Sequence, residues 1–471
     1  MKRGDSHVWL RASAISARNG RHRRSSSRGN APLNWFRKGA PKSVSERRRL
    51  FTTFGYLVAK QGAVAVIGLV YWAVATHLFS ARDVGLAAAA ASTALLLSAI
   101  GALGIPLLLL AEIEPLEARE RRVFLTTGLA ISGLVVLVLS IGTMGLSSFF
   151  GPSLTLIGGD PVTAALFVVG SVATMAGLTL EGAAIGLHRN GAQLWRGSLS
   201  AILKLAVVGV LVLASVRTSA GLIFAWALAL VVSFVVCMPM LELARTPPGE
   251  RILHHRVDLV RRFGALSLQH HVLNLSISSV SYIVPMLATL LISPQQVAYF
   301  SAAYLLASTL LIIPYFLALS LFAERSGDPG LLHRHVRRTL PFGLALISAI
   351  VLVVEIAAPY ALRLFGPAYA ANGTTALRIL ILVGPAYVIK DHYVSICRAQ
   401  GRLGHGSRMM AIGTMVEVAG SALGGVWWGL TGICVGWVIS ASCEALFVLP
   451  AVLRVYHRVP VPEREVSGVP D

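Results

Sequence analysis

From Phe54 to Leu453 the chain is a succession of apolar runs, each long enough to cross the roughly 30 Å hydrocarbon core of a bilayer as a helix. The connections between them are too short to hold a water-soluble domain. Backbone in hydrocarbon must satisfy its own N–H and C=O groups, which these runs do by folding as helices. The pattern places helices near 54–77, 84–111, 122–147, 161–186, 198–215, 219–241, 264–292, 297–322, 339–360, 372–398, 408–427 and 430–453. The chain is therefore expected to be an all-α membrane protein of about twelve transmembrane helices. With 55% hydrophobic and 13% charged residues and a mean hydropathy of +0.71, it lacks the polar surface that 471 residues would need in water.

Charge sets orientation. The net charge of +20 does not form the single basic stripe of a nucleic-acid binder, and no nucleic-acid partner is expected. Basic residues fill alternate connections: Arg119, Arg121 and Arg122; Arg189 and Arg196; Arg245 to Arg262; Arg325 to Arg338; Arg402 and Arg408. The opposite connections hold little beyond Arg82, Arg217 and Arg363. Cationic loops stay on the cytoplasmic side, so an even number of helices with both termini cytoplasmic, in the cell membrane, is expected. Residues 1–50, with RHRRSSSRG and SERRR, read as a basic disordered arm, able to meet anionic lipid headgroups, and 456–471 as a cytoplasmic tail. Cys237, Cys397, Cys434 and Cys443 lie inside apolar stretches without metal-ligand spacing and read as inert packing residues.

Sliding the chain on itself by about 213 residues reveals a repeat. ATHLFSARDVGLAAAA from Ala75 lies over ATLLISPQQVAYFSAA from Ala288, and AGLIFAWAL from Ala220 lies over TGICVGWVI from Thr431, Trp226 over Trp437. Six helices per copy give two parallel lobes related by a pseudo-twofold along the membrane normal. The expected division is an N-lobe over 51–241, a linker over 242–262 and a C-lobe over 263–455. Two such bundles can rock about a central site. Their runs of Gly and Ala (GLAAAAAS, SAIGALGIP, GSALGGVWWG) suit close helix packing, and Pro106, Pro285, Pro314 and Pro385 permit kinks.

YWAVATHLFSARDVGLAAAAASTALLLSAIGALGI resembles the opening helix pair of polysaccharide flippases. LRLFGPAYAANGTTALRILILVG followed by CRAQGRLGHGSR resembles two later segments of the same family. The resemblance spans 51–455. It implies the fold of the multidrug/oligosaccharidyl-lipid/polysaccharide exporter superfamily and, as cargo, a polyprenyl-diphosphate-linked oligosaccharide carried from the cytoplasmic to the outer leaflet for surface polysaccharide synthesis. It also implies partners in that pathway, glycosyltransferases and a polysaccharide polymerase, beside the lipid-linked sugar and membrane lipids. The superfamily's cation- or proton-coupled multidrug antiporters are the rival reading. A major facilitator fold lacks its signature in EIEPLEARERRV, and a membrane glycosyltransferase would need larger outer loops or an acidic pair.

Ionisable side chains at bilayer depth are costly, so each is a candidate for pairing or function. Lys60 and Gln61 on the first helix, with Gln269, His270, His271 and Asn274 on the seventh, would form a polar cationic lining for a sugar diphosphate if the two helices face each other, as the resemblance implies. The alternative is snorkelling to the cytoplasmic interface. Lys390 and Arg378 complete the substrate-binding candidates. Glu181, Asp391 and Glu417 are the ion-coupling candidates; Glu181 or Glu417 could equally pair with Lys204 as a structural bridge. Lys390 and Asp391, about 100° apart on a helix, cannot share one partner. Glu355 and Glu444 remain unranked. Phosphate-loop, HExxH and nucleophile-elbow motifs do not occur, so neither catalysis nor a cofactor or metal is expected.

Overall fold

The computed structural model describes residues 66–241, 280–323, 329–400 and 402–457, with positions 264, 267, 268, 271 and 275 between. Lys60, Gln61, Gln269, His270 and Asn274, the basic arm and the whole of the proposed linker lie outside the described residues. Within the described residues the chain is helical without strands.

In chain order the helices are α1 (Val66–Leu78), α2 (Ala81–Gly101), α3 (Ile105–Glu112), α4 (Ala118–Gly145), α5 (Gly151–Gly158), α6 (Pro161–Gly186), α7 (Asn190–Leu213) and α8 (Ser219–Cys237). There follow α9 (Val280–Leu291), α10 (Pro294–Ala323), α11 (Pro329–Arg363), α12 (Pro367–Ile381), α13 (Gly384–Ala399) and α14 (Leu403–Tyr456). Among the described residues nine helices are long and apolar enough to span a membrane, and α1 and α9 are shorter apolar stretches. One of the nine, α14, counts twice: at Trp428 and Gly429 its backbone leaves helical geometry, Gly429 at φ +57° and ψ −135°, and the chain folds back on itself. Counting α14 twice and adding α1 and α9, the described residues give twelve apolar segments in two lobes of six, α1–α8 and α9–α14.

The duplication is visible in where helices begin. α2 starts at Ala81 and α10 at Pro294, α7 at Asn190 and α14 at Leu403, both pairs 213 residues apart. Within the lobes α6 packs on α3, α4 and α8, and α13 packs on α10, α11 and α14. Between the lobes α2 lies along α10, its repeat counterpart, as a pseudo-twofold demands. Gly85 permits that approach, since a Cβ there would overlap the carbonyl of Pro294.

Two expected helices are interrupted. The run 84–111 breaks at Leu103 and Gly104 (φ 51° and 76°), after which Pro106 sits in the first turn of α3. The run 372–398 divides at Leu382 and Val383, before Gly384 and Pro385 open α13. Two of the four intramembrane prolines thus start helices instead of kinking them. α5 was not expected; it fills the connection between α4 and α6. The start of α6 is fixed by Asp160, whose carboxylate accepts from the Thr163 hydroxyl and from the Val162 and Thr163 N–H groups. The Thr163 hydroxyl bond is the main reason that Asp160 titrates below the ordinary carboxylate value.

Outward faces are apolar. α4 exposes Leu134, Leu137, Val138 and Ile141, and α11 exposes Leu352, Val353 and Ile356, rows that suit lipid and not water. Trp427 and Trp428 stand exposed beside the Gly429 turn, as aromatic residues do at a membrane interface. Cys237, Cys397 and Cys434 are buried, as expected of packing residues, but Cys443 is exposed. It shares its side of α14 with exposed Ile439, Leu446 and Phe447.

Candidate functional site: two intramembrane charge clusters

Small residues bring the two arms of α14 together. Gly424 abuts Gly432 and Gly420 abuts Gly436, so close that a Cβ on any of them would overlap backbone of the other arm. Further from the turn, Gly413 on the first arm leaves the space that the Glu444 carboxylate occupies on the second. This packing places Glu417 and Glu444 opposite α13, which supplies Lys390.

The result is a buried cluster in the second lobe. Lys390 Nζ is bonded to Glu417 Oε1 and stands 2.5 Å from Glu444 Oε2. Glu417 is fully buried; the Trp437 indole N–H donates to its Oε2 at 2.7 Å, and the Tyr387 hydroxyl donates to the same oxygen at 3.5 Å. The Lys390 ammonium also lies 5.0 Å from the centroid of the Tyr387 ring. Glu444 is less well provided. Both its oxygens are buried, and Lys390 is the one cation it meets among the described residues, with no Trp or Tyr donor beside it. Two carboxylates face one ammonium.

The first lobe carries the opposite balance. Glu181 on α6 pairs with Arg196 on α7 at 3.6 Å and accepts from Gln193. Arg196 fills space over Gly177, where a Cβ would come 2.8 Å from Nη1, and its Nε is buried without a partner. Two turns along α7, Lys204 Nζ lies 5.3 Å from the centroid of the Tyr71 ring. No acid among the described residues forms an ion pair with it.

The repeat relates the two arrangements. At an offset of 213, Gly177 corresponds to Lys390 and Lys204 to Glu417. Each lobe therefore has an ion pair between corresponding helices, α6 with α7 and α13 with α14, but the residues are exchanged. In the first lobe the cation reaches from α7 over a glycine, and in the second it stands where that glycine would be.

The sequence-derived candidates divide accordingly. Lys390, expected to line a substrate site, is engaged by two carboxylates. Of the adjacent pair it is Lys390 that faces the cluster; Asp391 is half-buried and makes no ion pair among the described residues. Glu417 pairs with Lys390 and Glu181 with Arg196, so neither takes Lys204. Arg378 lies in a separate place: its Nε donates to the Glu355 carbonyl at 2.9 Å and stands 3.7 Å from Glu355 Oε2, tying α12 to α11. His271 is buried against the break between α2 and α3, where the Ser267 hydroxyl donates to the Leu103 carbonyl at 2.7 Å. Arg196, counted as a loop charge, has an interior side chain only 15% exposed. Sequence alone does not rank Glu444, and the match of Trp437 to Trp226 in the repeat does not mark it as a donor. Among the described residues no three His, Cys, Asp or Glu side chains group as metal ligands.

No family model matches the sequence, and no curated protein matches it. Solved structures do match in shape. The lipid II flippase MurJ in an inward closed conformation superposes with a TM-score of 0.61 at 13% identity, covering 86% of this chain and 90% of that one. An inward-facing multidrug resistance MATE family transporter of the MOP superfamily gives a TM-score of 0.54 at 16% identity, covering 85% and 94%. The chain has the fold of MOP superfamily transporters.

Proposed function

We propose that this membrane protein is a flippase that moves an anionic, polyprenyl-diphosphate-linked oligosaccharide from the cytoplasmic to the outer leaflet by alternating access between its two lobes. One observation carries the choice of cargo: among the described residues the half-buried charges of the first lobe leave a cationic surplus, with no acid paired to Lys204 and Glu181 paired to Arg196. A cationic surplus suits diphosphate oxygens and disfavours the cationic drugs of the rival antiporter reading. Lys60, eleven residues before Tyr71, would extend this lining, with Gln61 and the amide and imidazole groups of Gln269, His270, His271 and Asn274 meeting sugar hydroxyls. Lys390 and Arg378 leave the cargo site, being engaged with acids.

Coupling to an ion gradient belongs in the second lobe, at Glu417 and its partners, with Glu181 and Asp391 as weaker candidates. The cell membrane, with both termini cytoplasmic, is the location this reading requires. Glycosyltransferases would supply the cargo and a polymerase would consume it.

The test is delivery of a fluorescent polyprenyl-diphosphate oligosaccharide across proteoliposomes containing the full chain. The wild type should deliver it. Lys204→Ala should insert normally and lower delivery about tenfold to a hundredfold, the worth of one charge-assisted contact. Lys60→Ala should likewise insert and stop delivery. Efflux of a cationic dye with no delivery of the lipid would replace this reading with the antiporter.

A further inference from the structure

The Lys390, Glu417 and Glu444 cluster has a built-in imbalance. Three donors converge on Glu417: the Lys390 ammonium, the Trp437 N–H and the Tyr387 hydroxyl. Its acceptor capacity is largely taken. Glu444 has a side chain only 6% exposed, yet it has the shared Lys390 ammonium in place of the three donors that Glu417 collects. The space for its carboxyl group is made by Gly413. With one ammonium against two carboxylates, the buried group carries one uncompensated negative charge when both acids are ionised, a costly state inside a bilayer.

We propose that Glu444 is the proton-binding residue of this transporter and that the coupling ion is H⁺, not Na⁺. This rests on the transport reading and names its coupling ion. A proton arriving from water finds the unused lone pairs of the cluster on Glu444. The carboxylate becomes a carboxyl group, the donor hydronium becomes water, no electrons are exchanged, and the cluster becomes neutral. Lys390 is then held by Glu417 alone. Sodium has no comparable place. It requires a shell of oxygen lone pairs, whereas here an ammonium already stands between the carboxylates and the other polar groups present N–H and O–H hydrogens. Among the described residues the titratable groups facing the cluster are Tyr387 and Lys390 on α13, Glu417 on the first arm of α14, and Tyr304 on α10, whose ring packs on Trp437; Asp391 is the next residue along α13 and makes no ion pair there. Of the two carboxylates on α14, Glu444 is the one without the Trp437 and Tyr387 donors.

The experiment is an infrared titration of the full-length protein in lipid, following the C=O stretch of protonated carboxyl groups. A titrating band should be present in the wild type, be lost in Glu444→Gln, and keep its midpoint when choline replaces Na⁺. In Lys390→Met the midpoint should rise by about one pH unit or more, because a neighbouring cation that opposes protonation has gone. A band that survives Glu444→Gln, is displaced by Na⁺, or is unmoved in Lys390→Met overturns the proposal. If Glu444→Gln does not fold, the sodium comparison and the Lys390→Met shift decide the matter, since both retain the carboxyl group. None of these measurements uses cargo, so failure here leaves the lipid-delivery test untouched, and the reverse.

Discussion

Trp437 shows how much one side chain can hold at bilayer depth. Its indole N–H is 2.7 Å from a fully buried carboxylate. Trp437→Phe keeps most of the ring volume and removes the donor, and should destabilise the protein by about 1.5–3 kcal/mol, the range for hydrogen bonds to charged groups. Thermal unfolding of the purified protein in detergent would measure it, and an unchanged midpoint would mean that the bond contributes nothing. At this scale the sequence was informative about which residues matter and silent about their partners. Lys390, Glu417 and Glu181 stand out because charge is expensive in hydrocarbon, a property of single positions. Pairing depends on how helices are rotated. Lys204 and Arg196 lie on the same helix about 12 Å apart along its axis, and the level and rotation of α7 against α6 together decide that Arg196, not Lys204, meets Glu181.

Helices were legible in extent because apolarity persists along them, and the same persistence hid their breaks. Hydropathy runs unbroken through Leu103 and Leu382, although a glycine and then a proline follow within a few residues in both places, at Gly104 with Pro106 and Gly384 with Pro385. Those residues, not the hydropathy, mark the interruption. The hairpin of α14 is the most exacting element. Gly424→Val would drive a side chain into the Gly432 backbone, which cannot rotate away as a flexible side chain would. The expected cost is about 3 kcal/mol, the upper end for overpacking, seen as a lower unfolding temperature and a smaller monodisperse fraction on size exclusion. Gly429→Ala tests the turn itself and should cost about 1–3 kcal/mol through its backbone conformation. The two losses differ in kind: the first parts the arms that align Glu417 with Glu444, and so should also disturb the carboxyl titration, whereas the second should not.

Across the whole molecule the duplication was readable as an offset of 213 residues, because equivalent helices begin at equivalent places. The contact between lobes was not, since it involves small residues whose role appears only when two backbones meet. Along that contact the Ser92 and Thr289 hydroxyl oxygens are 3.4 Å apart, one from each lobe. Alternating access requires the lobes to move against each other, so this pair should separate during each cycle. Cysteines at both positions would lie near the separation that a disulfide spans. In a background where exposed Cys443 is replaced by serine, oxidised Ser92→Cys/Thr289→Cys should lose at least about tenfold in lipid delivery, a barrier of roughly 1.4 kcal/mol or more. Reductant should restore it, and either single cysteine should leave it intact. Full delivery from the cross-linked protein would mean that this part of the interface stays closed throughout the cycle and that the lobes pivot about it, placing the moving surfaces at the other end of α2, near Leu103, Gly104 and His271.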